Sequence, residues 1–174
     1  MNQQEEDRSA LIIRPASFND IPYIQQIAYD TWPVAYGEIL PGEQLRYMLN
    51  LFYSSEALSQ QLHEHHLFFL AVFQYQPVGF ASFNHINNDI FKLQKLYVLP
   101  GVQKTGAGKA LLQHVETTVK SMGGTRLLLN VNRQNTSINF YYKYGFQIIK
   151  VDDVDIGSGY FMNDFVMEKV LAEE

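Results

Sequence analysis

Residues 96–109, LYVLPGVQKTGAGK, carry the densest chemical signal in the chain: a strand-like run enters a glycine-bearing turn and continues as an amphipathic helix. The first N–H groups of a helix have no partner inside it. A row of main-chain donors from Gln103 through Lys104, Thr105, Gly106 and Ala107 to Gly108 can therefore face an anion such as a pyrophosphate, assisted by the helix dipole. Gly106 and Gly108 have no Cβ to hold an anion off the backbone, and Lys104 and Lys109 add positive charge. A tight turn with no ligand would use the same glycines, and composition alone weighs the two readings evenly. Two familiar phosphate loops fail on spacing. A Walker loop needs a glycine five residues before the Gly-Lys pair and a Ser or Thr after it, where this chain has Gln103 and Ala110. The dinucleotide fingerprint needs a third glycine where Leu111 stands.

Other constellations are weaker. Residues 63–66, HEHH, invite a metal reading, but the zinc-protease pattern puts its second histidine four after the first, at Leu67. Histidines at steps of two and one share no helix face, and fit better as the end of a helix, where positive character complements the dipole. Residues 157–159, GSG, lack the spacing of a nucleophile elbow and read as a turn. Four of the five residues from Phe140 to Tyr144 are aromatic, a composition usual for a core.

Residues 103–108, QKTGAG, match the Q/R-x-x-G-x-G/A loop of the GNAT superfamily of acetyl-CoA-dependent N-acetyltransferases. Residues 132–141, NRQNTSINFY, followed by Gly145 and Phe146, resemble the N-x-x-N-x-A-x-x-F-Y…G-F segment of the same family, with Ser137 in place of the usual alanine. The opening Ile13, Arg14, Pro15 and Ala16, followed by Asp20, also resembles a GNAT start, so the likeness spans nearly the whole chain in order. Trp32, Tyr36, residues 45–51 and residues 162–167 look most like the branch that contains polyamine acetyltransferases.

The resemblance implies acetyl-CoA as co-substrate, no metal, and a cleft between two splayed strands that receives the pantetheine arm. Backbone groups near Leu96, Tyr97 and Val98 would pair with its amides, as an added strand does, and Asn135 would hydrogen-bond the arm. Asn132 and Phe140 would shape the same wall, although either asparagine also suits helix capping. Gln103, Lys104, Thr105, Gly106, Ala107, Gly108 and Lys109 would hold the diphosphate. Tyr141 falls at the family's tyrosine position, where a phenol can donate to the departing thiolate while an N–H, that of Val98, polarises the carbonyl. Trp32 and Tyr36 are the expected acceptor contacts. The acceptor is a primary amine of a small molecule such as a polyamine, or of a peptide. An alkylamine with a pKa of about 10.4 must lose a proton before attack. Many relatives carry a glutamate shortly before the equivalent of Lys95, whereas this chain has Leu93 and Gln94. A relayed water, or an acid such as Glu38, Asp155 or Asp164, could serve instead. The acidic run Asp152, Asp153 and Asp155 either attracts a cationic acceptor or forms a solvated loop between strands. A CoA-binding regulatory module without turnover, and an interaction domain without cofactor, remain the alternatives.

The elements that must position these residues follow from hydropathic period. A strand at residues 11–14 ends at Pro15, and a helix started by Ser17 and Asp20 runs to Thr31, stopped by Trp32 and Pro33. Two helices are expected over residues 42–51 and 55–63, then strands over 67–73, 78–84 and 90–99 as a meander. A helix from Gly106 places Ala107, Leu111, Val115, Val119 and Met122 on one face and ends at Gly123 and Gly124. A strand over 126–131, a helix over 136–143 and strands over 146–151 and 160–170 complete an α/β domain, and the resemblance makes it a GNAT-like mixed sheet of about seven strands flanked by helices. The strand, helix, strand unit between residues 91 and 131 should cross over right-handed and leave two parallel neighbours.

With 174 residues, 47% of them hydrophobic, the chain can build one core. The reading is a flexible tail over residues 1–10 and a single domain over residues 11–174. The longest apolar run, residues 67–73, is far short of the roughly 20 residues that cross a bilayer. The first nine residues are polar and acidic, unlike a secretory leader, which makes the cytoplasm the expected location. The absence of cysteine removes disulfides, thiolate metal sites and a cysteine nucleophile. A net charge of −5 argues against a nucleic-acid partner and favours small or cationic ones. The oligomeric state stays open, with a homodimer common in look-alike enzymes.

Overall fold

The chain runs β1 (Leu11–Pro15), α1 (Ile21–Tyr36), α2 (Gly42–Tyr53), α3 (Ser55–His63), β2 (Leu67–Phe73), β3 (Gln76–Asn87), β4 (Ile90–Val98), α4 (Ala107–Ser121), β5 (Arg126–Asn132), α5 (Ile138–Lys143), β6 (Gln147–Gly157) and β7 (Tyr160–Val170). This computed structural model describes residues 10–171; residues 1–9 of the tail expected over residues 1–10, and residues 172–174 of the expected domain, lie outside them. The strands form one sheet in the order β1-β2-β3-β4-β5-β7-β6. Each neighbouring pair is antiparallel except β4 and β5, which the α4 crossover leaves parallel.

Helices cover both faces of the sheet because each strand near its centre is apolar on both sides. On one face α4 presents Ala107, Leu111, Leu112, Val115 and Val119, all buried, to Phe83, Phe91, Leu127 and Leu129. On the other, α1 to α3 bring Ile24, Trp32, Leu49, Tyr53 and Leu58 onto Leu70 and Phe80. Each Val, Leu, Ile or Phe among them contributes about 1.5–3 kcal/mol on burial, which makes these two layers the frame for everything between them. The first crossing of the sheet edge is fixed by charge. Asp20 accepts from Arg14 Nη1 at 3.0 Å, Arg14 Nη2 at 2.8 Å and the Ser17 N–H at 2.9 Å. The Arg14 hydrogen bonds hold its carboxyl below the usual carboxylate range, although burial opposes them.

Two expectations are corrected. The first helix does not stop at Trp32: α1 continues through Pro33 to Tyr36, and the Gly37 N–H donates to the Pro33 carbonyl at 3.0 Å. Proline removes one donor, the one that would reach Tyr29, but Tyr29 is exposed and in its last turns the helix tolerates that loss. Nor do Asp152, Asp153 and Asp155 lie in a loop. They belong to β6, which runs to Gly157 and pairs with β7 along its length.

The feature that positions the site is a bulge. β3 pairs Ser82 with Lys95 and Phe83 with Leu93, leaving Gln94 as an extra residue on β4. A bulge bends its strand and increases the local twist. Pairing between β4 and β5 accordingly covers Ile90–Leu93 against Arg126–Leu129 and goes no further, while β5 stays with β7 as far as Asn132. From Gln94 to Val98 the edge of β4 that faces β5 has no strand partner.

Candidate active site

A cavity of about 400 Å³ occupies the split, lined on one side by the run from Leu93 to Val98 and on the other by Leu129, Asn130 and Val131. That volume falls in the range of about 300–1,000 Å³ typical of small-molecule sites. Backbone donors and acceptors on an open edge inside a groove suit an extended ligand that carries its own amides. Gln103 lines the mouth of this cavity, Tyr141 and Asn135 its wall, and Thr31, Val34, Ala35 and Tyr36 arrive from the end of α1. The turn beyond Gln103 is a short 3-10 helix, Gln103–Thr105, after which Gly106, at φ 81°, starts α4. One donor of the expected row is spent inside the turn, because the Thr105 N–H donates to the Val102 carbonyl at 3.1 Å and its hydroxyl to the same oxygen at 2.6 Å. The amides of Gly106, Ala107, Gly108 and Lys109 head the helix, where no earlier turn supplies partners. Lys104 and Lys109 are both exposed beside them.

Neither asparagine caps α5, whose N-cap is Ser137; both instead brace the turn that leads into it. Asn132 Oδ1 accepts from the Gln134 N–H and Asn135 Oδ1 from the Ser137 N–H, each at 2.9 Å. Asn135 thereby keeps its amide NH₂ free to face the Tyr36 hydroxyl. Asn132 lines a second cavity instead of the split. Phe140 lines neither; its ring lies where a Cβ on Gly108 would meet it at 3.6 Å, so it backs the glycine turn. Tyr141 is buried in contact with Phe140 and Phe146, and burial pushes its phenol well above the usual value, so it remains a donor across the physiological range.

The second cavity, about 230 Å³, adjoins the first through Tyr36, Leu93, Gln94, Lys95, Tyr97 and Asn130. Trp32, Tyr36, Phe52 and Tyr53 form its aromatic side, and the Tyr36 and Tyr97 hydroxyls are 3.0 Å apart. Its opposite wall comes from β5, β6 and β7. There Asn132, Asp164 and Asp152 stand directly across from one another in a row. Like charges placed opposite in a sheet are destabilising unless something cationic is near. Asp164 is 5% exposed; burial raises its carboxyl above the usual value, while a 3.4 Å hydrogen bond from Asn130 and the charge of Lys92 work against that rise. α2 closes the cavity by gripping the β6–β7 hairpin: Tyr47 donates to the Ile156 carbonyl at 2.6 Å and Gln44 to the Phe161 carbonyl at 2.9 Å.

Of the acids considered as bases, Asp164 faces a cavity, whereas Glu38 and Asp155 line neither. Asp155 instead accepts from the Gly157 N–H at 2.9 Å. Sequence reasoning passed over Lys95, whose Nζ sits 5.2 Å from the Tyr53 ring centre and 6.0 Å from that of Phe52. The signal was one charged residue between Leu93 and the apolar run 96–99. Among the described residues no group of three or more His, Asp or Glu is placed to hold a metal ion, and no helix is long and apolar enough to cross a membrane.

Parallel strands forced apart around a lined groove, with a helix N-terminus at its mouth and an acid-bearing cavity behind, make an α/β fold with a cleft suited to an extended ligand. The comparisons name it further. The family model for the acetyltransferase (GNAT) domain matches residues 40–162. The spermidine N(1)-acetyltransferase of Thermoplasma acidophilum is 32% identical over 90% of this chain and 95% of its own length. An uncharacterized N-acetyltransferase of Mycobacterium tuberculosis is 30% identical over 88% and 99%. The PaiA N-acetyltransferase of Thermoplasma acidophilum, solved with coenzyme A, aligns at TM-score 0.78 and 30% identity over 92% of this chain and 99% of that one. A GCN5-related N-acetyltransferase fold from Rhodopseudomonas palustris aligns at 0.80 with 21% identity, over 94% and 98%. The chain belongs to the GNAT acetyltransferase family, and is an acyltransferase.

Proposed function

We propose that this chain moves the acetyl group of acetyl-CoA to a primary amine of a small cationic acceptor of the polyamine class, by direct attack on the thioester. The observation that carries the reading is the junction of two cavities: an open-edged groove suited to a pantetheine arm leads into an aromatic chamber with Asp164 and Asp152 on one wall. The similarity to a spermidine acetyltransferase over most of both chains supports the same acceptor class.

In this reading the amides of Gln103, Lys104, Gly106, Ala107, Gly108 and Lys109, with the two lysine charges, hold the diphosphate. The unpartnered edge at Leu96, Tyr97 and Val98 pairs with the pantetheine amides, and Asn135 donates to the arm. Trp32 and Tyr36 hold the acceptor's alkyl chain, and the Asp164 and Asp152 carboxylates attract its ammonium groups, an interaction strengthened by the low dielectric of a closed chamber. The neutral amine attacks the thioester carbon, the Val98 N–H receives the developing oxyanion, and the carbon–sulfur bond breaks with its electron pair on sulfur. Tyr141 donates to that sulfur as charge collects there, and the second amine proton completes the thiol. Such a reaction places the protein where acetyl-CoA is available, in the cytoplasm.

Free thiol released from acetyl-CoA in the presence of spermidine, other polyamines, amino acids, aminoglycosides and N-terminal peptides tests the reading. Turnover is expected to be fastest with polyamines. Binding of acetyl-CoA without thiol release for any amine would overturn it in favour of a regulatory module.

A further inference from the structure

Resting on the acetyltransferase reading above, we propose that Lys95 takes the proton from the acceptor's ammonium.

The geometry begins with position. Lys95 lines both cavities at their junction, and its Nζ lies over the Tyr53 and Phe52 rings, which are walls of the acceptor chamber. Among the described residues it has no carboxylate within ion-pair distance, so nothing there locks it in the charged form. Burial brings its ammonium down to about 8, close enough to neutrality for a share of the chain to hold a free lone pair. The charged and titratable groups around it are Tyr36 from α1, Tyr53 from α2, Glu64 and His66 between α3 and β2, Lys92 and Tyr97 on β4, Asp152 on β6 and Asp164 on β7. A cationic acceptor entering this chamber adds a second positive charge beside Lys95 and favours loss of its proton when the lone pair is required.

Two buried polar atoms without partners are related to Lys95, one by strand register and one by charge. Ser82 stands opposite Lys95 on β3, is fully buried, and its hydroxyl has no hydrogen-bond partner. Phe68 stands opposite Ser82 in turn, two residues after His66, whose Nδ1 is also buried and unpartnered. His66 feels the Lys95 charge, and burial followed by that charge lowers its pKa. The His66 main-chain N–H donates to the main-chain carbonyl of Gln61 at 3.0 Å. The balance closes: the ammonium N–H breaks, the proton joins Nζ, the freed amine forms the amide, CoA leaves as thiol, and the Nζ proton returns to solvent.

The test compares wild type with Lys95→Arg, which keeps the charge and the ring contacts but releases no proton near neutrality. The expected result is a fall in kcat of about a hundredfold with a polyamine acceptor, an unchanged KM for acetyl-CoA, and loss of the limb of the pH profile that rises to about pH 8. With an aromatic amine, already neutral at pH 7, the loss should shrink to a few-fold. Lys95→Met, with acetyl-CoA titrations of both variants, serves if the arginine does not fit. Active wild type with an equally active Lys95→Arg and the same pH profile overturns this inference alone. Wild type that acetylates no amine overturns the underlying reading and this inference with it.

Discussion

Tyr141 joins a buried ring to a hydroxyl on the wall of the groove, and its raised pKa fixes it as a donor. Tyr141→Phe removes that donor while preserving the ring packing. Its kcat should fall about ten- to a hundredfold with acetyl-CoA affinity nearly intact, read by steady-state kinetics beside a binding titration. Unchanged kcat would remove the tyrosine from the mechanism. Asp164→Asn keeps the shape and the Asn130 contact but takes a charge from the chamber. The acceptor KM should rise about tenfold while that for acetyl-CoA stays put, as expected for a charge acting on one substrate. At this scale the glycine turn was visible in its spacing, whereas Tyr141 stood out only through the family resemblance, since its aromatic run by itself reads as core. Lys95 was not legible, and Asp164 was only one acid among several. Their meaning depends on which cavity a strand residue faces, and that is decided by the Gln94 bulge and by cross-strand register with β6 and β5.

The elements were largely visible in hydropathic period: α3, β2 and β7 lie where the pattern placed them, and the other boundaries move by a few residues. The misses share a cause. Pro33 and the acidic run of β6 carry local signals for a break, and tertiary contacts override both. The last turn of α1 is held by Trp32 packing on Tyr53 and by the Tyr36–Tyr97 hydroxyl pair, and β6 is held along its length by β7. The split itself depends on β4 keeping its course, and Gly79 on β3 guards that course. A Cβ there would stand 2.9 Å from the Tyr97 carbonyl oxygen, 3.1 Å from Val98 Cγ2 and 3.3 Å from Leu111 Cδ1. Gly79→Ala should therefore push β4 outward at the residues assigned to the pantetheine arm. It should cost about 1–3 kcal/mol by denaturant melting and weaken acetyl-CoA binding in a calorimetric titration. A variant as stable and as tight as wild type would show that the edge has more freedom than the packing allows.

For the molecule as a whole, the sheet keeps two jobs apart. One face and α4 build a rigid wall carrying the turn at Gln103–Thr105, and the other face, under α1 to α3, builds the chamber for the acceptor. The strands β4 and β5 are the border between them, and their parting connects the two spaces. The fold class was readable from element order; that the two cavities meet at Lys95 emerges only when β4, β5 and α1 are assembled. The most direct measurement is a crystal structure with acetyl-CoA bound. The arm should lie along the open edge of β4 with its amides paired to Tyr97 and Val98, the diphosphate on the amides of Gly106 to Lys109, and the acetyl carbon between Tyr141 and the acceptor chamber. A cofactor seated outside the split, with the β4 edge and those amides unengaged, would contradict the account.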